Sequence, residues 1–408
     1  MDDRKLAVEG GTPVRSMPLA YGRQWIEDDD VEAVVETLRS DYLTCGPKVT
    51  EAEKKLAEYT GAKYVNLMNS GTSALHAAAF AAGLKEGDEM IVTPLTFMAS
   101  ANCALYVGAT PVFADIDPHT YNIDPASIRA QITPRTKAVV AVDFGGELVN
   151  VTEIRKICDE HGLVFIEDAA HAIGSKYHFE DGNIKNCGTL ADMTCMSFHP
   201  VKTVTAAEGG ALLTDNADYA EKVNLFRSHG MEHDHAKIPY KGDSADFGPW
   251  YYDQTFLGYN YRMTDVQASL LISQLNKIDR FANRRAELVK KYDEYFANHK
   301  EIIPQAHRAW SEPVRHLYPI RINRELLTCT RKEFFEAMRA ENILCQVHYA
   351  PTYYFSNYEK LGYKRGLCPV AESVYADIMS IPLFPKMTDE DQADVLQAIE
   401  KIVARYRK

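Results

Sequence analysis

Between residues 64 and 167 short β-branched runs alternate with helical stretches, and no other feature limits the possible folds so strongly. Residues 64–68, 90–92, 111–114, 138–142 and 163–167 read as strands, and 72–82, 97–107 and 151–161 as helices between them. A helix between successive strands is the crossover that parallel pairing needs. The expected fold class is therefore α/β, a mostly parallel, doubly wound sheet with flanking helices. Ligands in such sheets collect where strands end and helices begin, which directs attention to the loops after these strands.

The first of these loops, Asn69-Ser-Gly-Thr-Ser73, opens an alanine-rich helix. Gly71 lets the backbone approach an anion, and the free N–H groups of Gly71, Thr72 and Ser73 at a helix N-terminus suit a phosphate; an ordinary Ser/Thr cap is the alternative. Neither a Walker pattern nor G-x-G-x-x-G is present, which disfavours nucleoside triphosphates and dinucleotides. In the next loop Phe97 is placed to stack on a planar ring or to join the core. Asp143-Phe-Gly-Gly146, after the fourth strand, either lines the same pocket or is a simple turn.

Phe165-Ile-Glu-Asp-Ala-Ala-His-Ala-Ile-Gly174 is more specific. An acid at the end of an apolar strand is costly to ionise unless it meets a cation, and a protonated pyridine nitrogen is such a partner for Asp168. His171 can reach a hydroxyl of the same ring or cover its face; a helix cap and a core histidine are the alternatives. Downstream, Met193-Thr-Cys-Met-Ser-Phe-His-Pro-Val-Lys202 reads as a buried strand running into a loop that ends at Lys202, ahead of Glu208-Gly-Gly210 and another strand. A lysine there is either a solvated loop charge or a pocket amine with a lowered pKa, the state a Schiff-base lysine needs.

The set Ser70-Gly-Thr-Ser73, Glu167-Asp-Ala-Ala-His171, Ser197-Phe-His-Pro-Val-Lys202, Glu208-Gly-Gly210 and Gly258-Tyr-Asn-Tyr-Arg-Met-Thr-Asp-Val-Gln-Ala268 resembles the fold-type-I nucleotide-sugar aminotransferases of the DegT/StrS-type family, in the family's order through nearly the whole chain. The resemblance implies pyridoxal 5'-phosphate as cofactor, with Lys202 as its covalent partner, Asp168 at the pyridine nitrogen and Phe97 on the ring. Gly71, Thr72 and Ser197 would hold the phosphate together with Asn260 of a neighbouring subunit, giving a homodimer with shared active sites. Many members carry glutamine where this chain has His171. A variant with histidine in place of the lysine dehydrates sugars, so the lysine favours transamination. Local strings such as Val142-Asp-Phe-Gly-Gly146 and Gln346-Val-His-Tyr-Ala-Pro351 look most like the branch that moves an amino group from L-glutamate to C4 of a UDP-linked 4-keto-6-deoxy-N-acetylhexosamine in a pseudaminic acid-type pathway. A dTDP- or GDP-ketosugar 3- or 4-aminotransferase, or a dehydratase on the same scaffold, is the alternative.

The remaining chain frames these candidates. Thr264-Asp-Val-Gln267 is a capping box expected to start one long helix with Leu271, Leu275, Ile278 and Phe281 on a single face. The charged run Arg284-Arg-Ala-Glu-Leu-Val-Lys-Lys291 suggests a boundary between a large cofactor-binding unit, 1–285, and a small C-terminal unit, 286–408. Arg227 and Arg262 are candidates for a substrate diphosphate, and His316, His348 and Tyr349 for the sugar or base. His229-Gly-Met-Glu-His-Asp-His235 lacks the framing of a metal site and is expected to be exposed or to gate substrate, so no metal is expected. A net charge of -12 without a basic stripe argues against nucleic acid. The eight scattered cysteines, the charged opening Met1-Asp-Asp-Arg-Lys5 and the lack of a long apolar run point to a cytoplasmic protein without membrane spans.

Overall fold

The computed structural model describes residues 5–238 and 248–408; the charged opening Met1 to Arg4 lies outside them. Before the sheet come α1 (Asp28–Leu38) and α2 (Pro47–Thr60), the second of which packs on the strand that follows it. The chain then alternates as expected: β1 (Tyr64–Met68), α3 (Gly71–Ala81), β2 (Glu89–Val92), α4 (Ala99–Tyr106), β3 (Thr110–Phe113), α5 (Pro125–Gln131), β4 (Thr136–Val142), α6 (Val151–His161) and β5 (Val164–Asp168). β6 (Met193–Ser197), β7 (Gly210–Thr214) and α7 (Ala217–Phe226) complete this part. The seven strands form one sheet in the order β1-β7-β6-β5-β4-β2-β3. All run parallel except β7, which is antiparallel to both neighbours. Both faces are covered, and β4 buries every residue but Lys137, as a strand with an apolar run in the middle of a wound sheet must.

Composition also explains how closely α3 approaches the sheet. Its alanines are buried, so its axis can lie near β6 and β7 without large side chains intervening. The approach is tightest at Gly210, where an added Cβ would sit 2.3 Å from the Ser70 carbonyl oxygen. Glycine is thus required by the packing of β7 under the α3 N-terminus.

The capping box at Thr264 forms, with its side chain accepting from Gln267 N and the Gln267 side chain receiving the Thr264 N–H. The helix that it starts is nevertheless not continuous. It breaks at Asn276–Lys277 into α8 (Asp265–Leu275) and α9 (Ile278–Phe296). The lysine at the break is held by acids of α1. Lys277 turns inward, 8% exposed, to meet Asp29 at 2.5 Å, Asp30 at 2.8 Å and Glu27 at 3.6 Å around the N-terminus of α1. Leu271, Leu275, Ile278 and Phe281 still face one core.

The charged run 284–291 lies in the middle of α9. Ile278 and Phe281 at one end of that helix join the sheet core, and Leu288, Tyr292 and Phe296 join a separate cluster with the C-terminal helices α10 (Arg331–Ala340) and α11 (Asp389–Tyr406). Leu6 and Leu19, from the N-terminal stretch grouped above with the large unit, pack in that same C-terminal cluster. Where the clusters meet, Arg285 is fully buried and donates from Nη1 to the carbonyls of Arg315, His316 and Leu383. Among the described residues no helix is long and apolar enough to cross a membrane.

Candidate active site

The C-terminal ends of β5 and β6 and the N-terminal end of α3 surround a cavity of 720 Å³, closed on one side by the 346–350 segment. The loop order of the wound sheet puts it there, at the ends of the parallel strands. Asp168, His171, Ser197 and Lys202 line it, with Gly71 and Thr72 opposite.

Asp168 ends β5, 5% exposed. Its Oδ2 accepts from Ser100 Oγ at 2.6 Å and its Oδ1 from Ala170 N at 3.1 Å. Burial raises its pKa, while the Ser100 hydroxyl, the Ala170 N–H and the Lys202 ammonium oppose the rise. Lys202 reaches the cavity from the loop between β6 and β7. Loss of hydration pushes its amine down to about 8, with Asp168 acting against the shift. The pocket amine, rather than the solvated loop charge, is therefore what the structure contains.

At the α3 N-terminus the Ser70 Oγ accepts from Ser73 N, and the Ser73 hydroxyl donates back to the Ser70 carbonyl. Ser73 is spent in this cap and does not line the cavity, whereas Ser70 does. The amides of Gly71 and Thr72, in the first turn, have no acceptor within the helix. A Cβ on Gly71 would stand 2.9 Å from Ser197 Cβ, so only glycine leaves a cradle between the helix and the end of β6. Phe97 is 55% exposed at the cavity rim. An anion cradle, an amine and a buried carboxylate that needs a cation fit the phosphate, aldehyde and protonated ring nitrogen of pyridoxal phosphate.

The candidate substrate residues divide. His348 and Tyr349 line the cavity; Arg227, Arg262, His316 and Asn260 do not. Arg227 points its guanidinium at Glu53 Oε1, 2.6 Å away, and at the Leu67 carbonyl, 2.7 Å away. This ties α7 to α2 and β1 and leaves no free fork for a diphosphate. His316 is buried behind His171, ring centroids 4.7 Å apart. Asn260 is exposed, and its carbonyl accepts from Asn69 Nδ2 at 3.3 Å; Arg262 pairs by its backbone with Met68. The 258–262 loop thus lies beside the β1–α3 turn, and none of its residues lines the cavity of its own chain. His229, His233 and His235 lie outside the cavity as well, with His235 Nε2 at 3.1 Å from the Tyr251 carbonyl.

Sequence reasoning missed Ser100 and Tyr21. Thr96, in the loop before α4, lies four residues ahead of Ser100 and is hydrogen-bonded to it at 2.7 Å, a pair of hydroxyls after a strand end that could have drawn attention to Ser100. Tyr21 carried no such signal. It lines the cavity because Leu19 pairs with Ile343 and the Tyr21 carbonyl receives Leu383 N, laying the N-terminal segment along the C-terminal unit.

Fold and cavity together define a class, the fold-type-I transferases that depend on pyridoxal phosphate. Known proteins narrow it. The profile of the DegT/DnrJ/EryC1/StrS aminotransferase family matches residues 24–400. The chain belongs to that family of nucleotide-sugar aminotransferases. The spore coat polysaccharide biosynthesis protein SpsC of Bacillus subtilis is 39% identical over 392 residues, covering 94% of this chain and 97% of that protein. A UDP-4-amino-4,6-dideoxy-N-acetyl-beta-L-altrosamine transaminase of Campylobacter jejuni is 37% identical over 393 residues, 96% of this chain and 99% of that one. Among solved structures, Spr1654 of Streptococcus pneumoniae in its PMP form superposes with a TM-score of 0.87 at 29% identity, covering 95% and 99% of the two chains.

Proposed function

We propose that this aminotransferase moves an amino group from L-glutamate to C4 of a UDP-linked 4-keto-6-deoxy-N-acetylhexosamine. The observation that carries the reading is the shared cavity of Lys202, Asp168 and the α3 N-terminus. Bound there, pyridoxal phosphate would supply an electron sink and a carrier for the amino group. Lys202 is the residue that would hold it covalently and then move a proton at the reacting carbon, since an amine with a pKa of about 8 takes up and gives back a proton near neutrality. Asp168 would keep the ring nitrogen protonated. Gly71, Thr72 and Ser197 would bind the phosphate, and Phe97 would cover the ring.

Asn260 and Arg262, which do not line the cavity of their own chain, are proposed to complete the site of a second subunit. His348 and Tyr349 are the proposed sugar contacts. Similarity to the Campylobacter enzyme supports the UDP sugar. The similarity to SpsC, at slightly higher identity, supports as second reading a different nucleotide-ketosugar acceptor. The presence of Lys202 argues against dehydration.

The test is to incubate the pyridoxamine form of the enzyme with UDP-, dTDP- and GDP-linked 3- and 4-ketosugars and to follow cofactor absorbance. The UDP-4-keto-6-deoxy-N-acetylhexosamine is expected to restore the aldehyde form fastest. Faster conversion with another ketosugar would move the assignment to the second reading, and no conversion with any of them would reject both.

A further inference from the structure

His171 is held from both sides. Its Nδ1 lies 3.3 Å from Gly145 N, and its Nε2 lies 3.1 Å from Tyr349 Oη. A backbone N–H can only donate, so Nδ1 must present its lone pair. Burial and the nearby Lys202 and His348 hold His171 well below the usual histidine range, so the ring is neutral. A neutral imidazole with its lone pair on Nδ1 carries its proton on Nε2. That proton is donated to Tyr349 Oη. The direction of the contact is thereby fixed: the tyrosine oxygen accepts, and its own proton is not used in it. Among the described residues Tyr349 Oη has no other hydrogen-bond partner, and Tyr349 lines the cavity with Lys202 and Asp168. Burial raises the phenol's pKa, so the hydroxyl keeps that proton.

We infer that Tyr349 is a hydrogen-bond donor into the cavity, aimed at an acceptor oxygen of the bound molecules, and that His171 is the positioning residue that turns its proton inward. The inference rests on the reading that Lys202 and Asp168 hold the cofactor. A side-chain amide also has one acceptor end for Gly145 N–H and one donor end for the phenol oxygen. Two oxygens have the required chemistry, the phenolic oxygen of the cofactor ring and the carbonyl oxygen of the ketosugar.

The full-length enzyme loaded with cofactor, its Tyr349→Phe variant, which removes one oxygen, and His171→Leu and His171→Gln decide the matter. Two quantities are read: the midpoint of the pH titration of the bound cofactor's absorbance, and single-turnover rates with L-glutamate and with ketosugar measured separately. If the acceptor is the ring oxygen, Tyr349→Phe raises the titration midpoint, because a donor to the deprotonated oxygen is lost. If it is the sugar carbonyl, the midpoint stays and only the ketosugar half slows, by about tenfold or more, the worth of one good hydrogen bond. In either case His171→Leu should reproduce the Tyr349→Phe change, and His171→Gln should show less of it. Tyr349→Phe matching the parent in both readouts, or His171→Gln as impaired as His171→Leu, would overturn the inference. Lys202→Ala tests the reading beneath it separately: retained visible absorbance in that variant rejects cofactor capture by Lys202, whereas its loss beside an unaltered Tyr349→Phe rejects only the donor role.

Discussion

Burial shifts both Asp168 and Lys202, each opposes the shift of the other, and the sign of a pH effect follows from that. The Lys202 amine is lowered to about 8 by burial, so it is mostly ammonium below that pH and mostly free base above it. Mixing the apoprotein with pyridoxal phosphate should therefore produce the visible band about tenfold faster per pH unit up to that point and level off beyond it. In Asp168→Asn the opposing carboxylate is gone, so the midpoint of this profile should move down; an upward move would contradict the arrangement. Ser100 bears on the same carboxylate. Ser100→Ala removes the 2.6 Å hydrogen bond to Oδ2 and should lower kcat by about tenfold, read in steady-state kinetics with cofactor saturating.

At the scale of elements, α1 depends on the break between α8 and α9. Lys277 balances Asp30, whose side chain is fully buried, so Lys277→Ala should lower stability by about 3 kcal/mol in urea unfolding, while Lys54→Ala, in an exposed i,i+4 pair, should change little. The helix break also marks what the sequence could convey. Apolar spacing correctly put Leu271, Leu275, Ile278 and Phe281 on one face, since periodicity reports which side is buried. It carried no sign of the turn at Lys277, because the acids that pull the lysine inward lie about 250 residues earlier in the chain. Arg227 was misread for the same reason: its partner Glu53 is 174 residues away. The strand-end loops, by contrast, were legible, because glycine, cap residues and a terminal acid act locally. The wound sheet then brings those local signals to one cavity.

For the whole molecule, the second subunit proposed above would meet exposed Asn260 of the 258–262 loop and exposed Phe97 at the cavity rim. Co-expressing Lys202→Ala with Asn260→Ala should restore about one quarter of parent activity, because half of randomly assorted dimers are mixed and each mixed dimer has one site built only of native residues. Activity no greater than the sum of the two variants alone would mean that each chain works by itself. A last consequence concerns synthesis. β1 has one neighbour in the sheet, β7, and the glycine of β7 supports the turn that leads into α3. A nascent chain cannot assemble its anion cradle from its first hundred residues. It must wait until residue 214 has left the ribosome, and a polypeptide released before then should retain no cofactor, however much helix it forms.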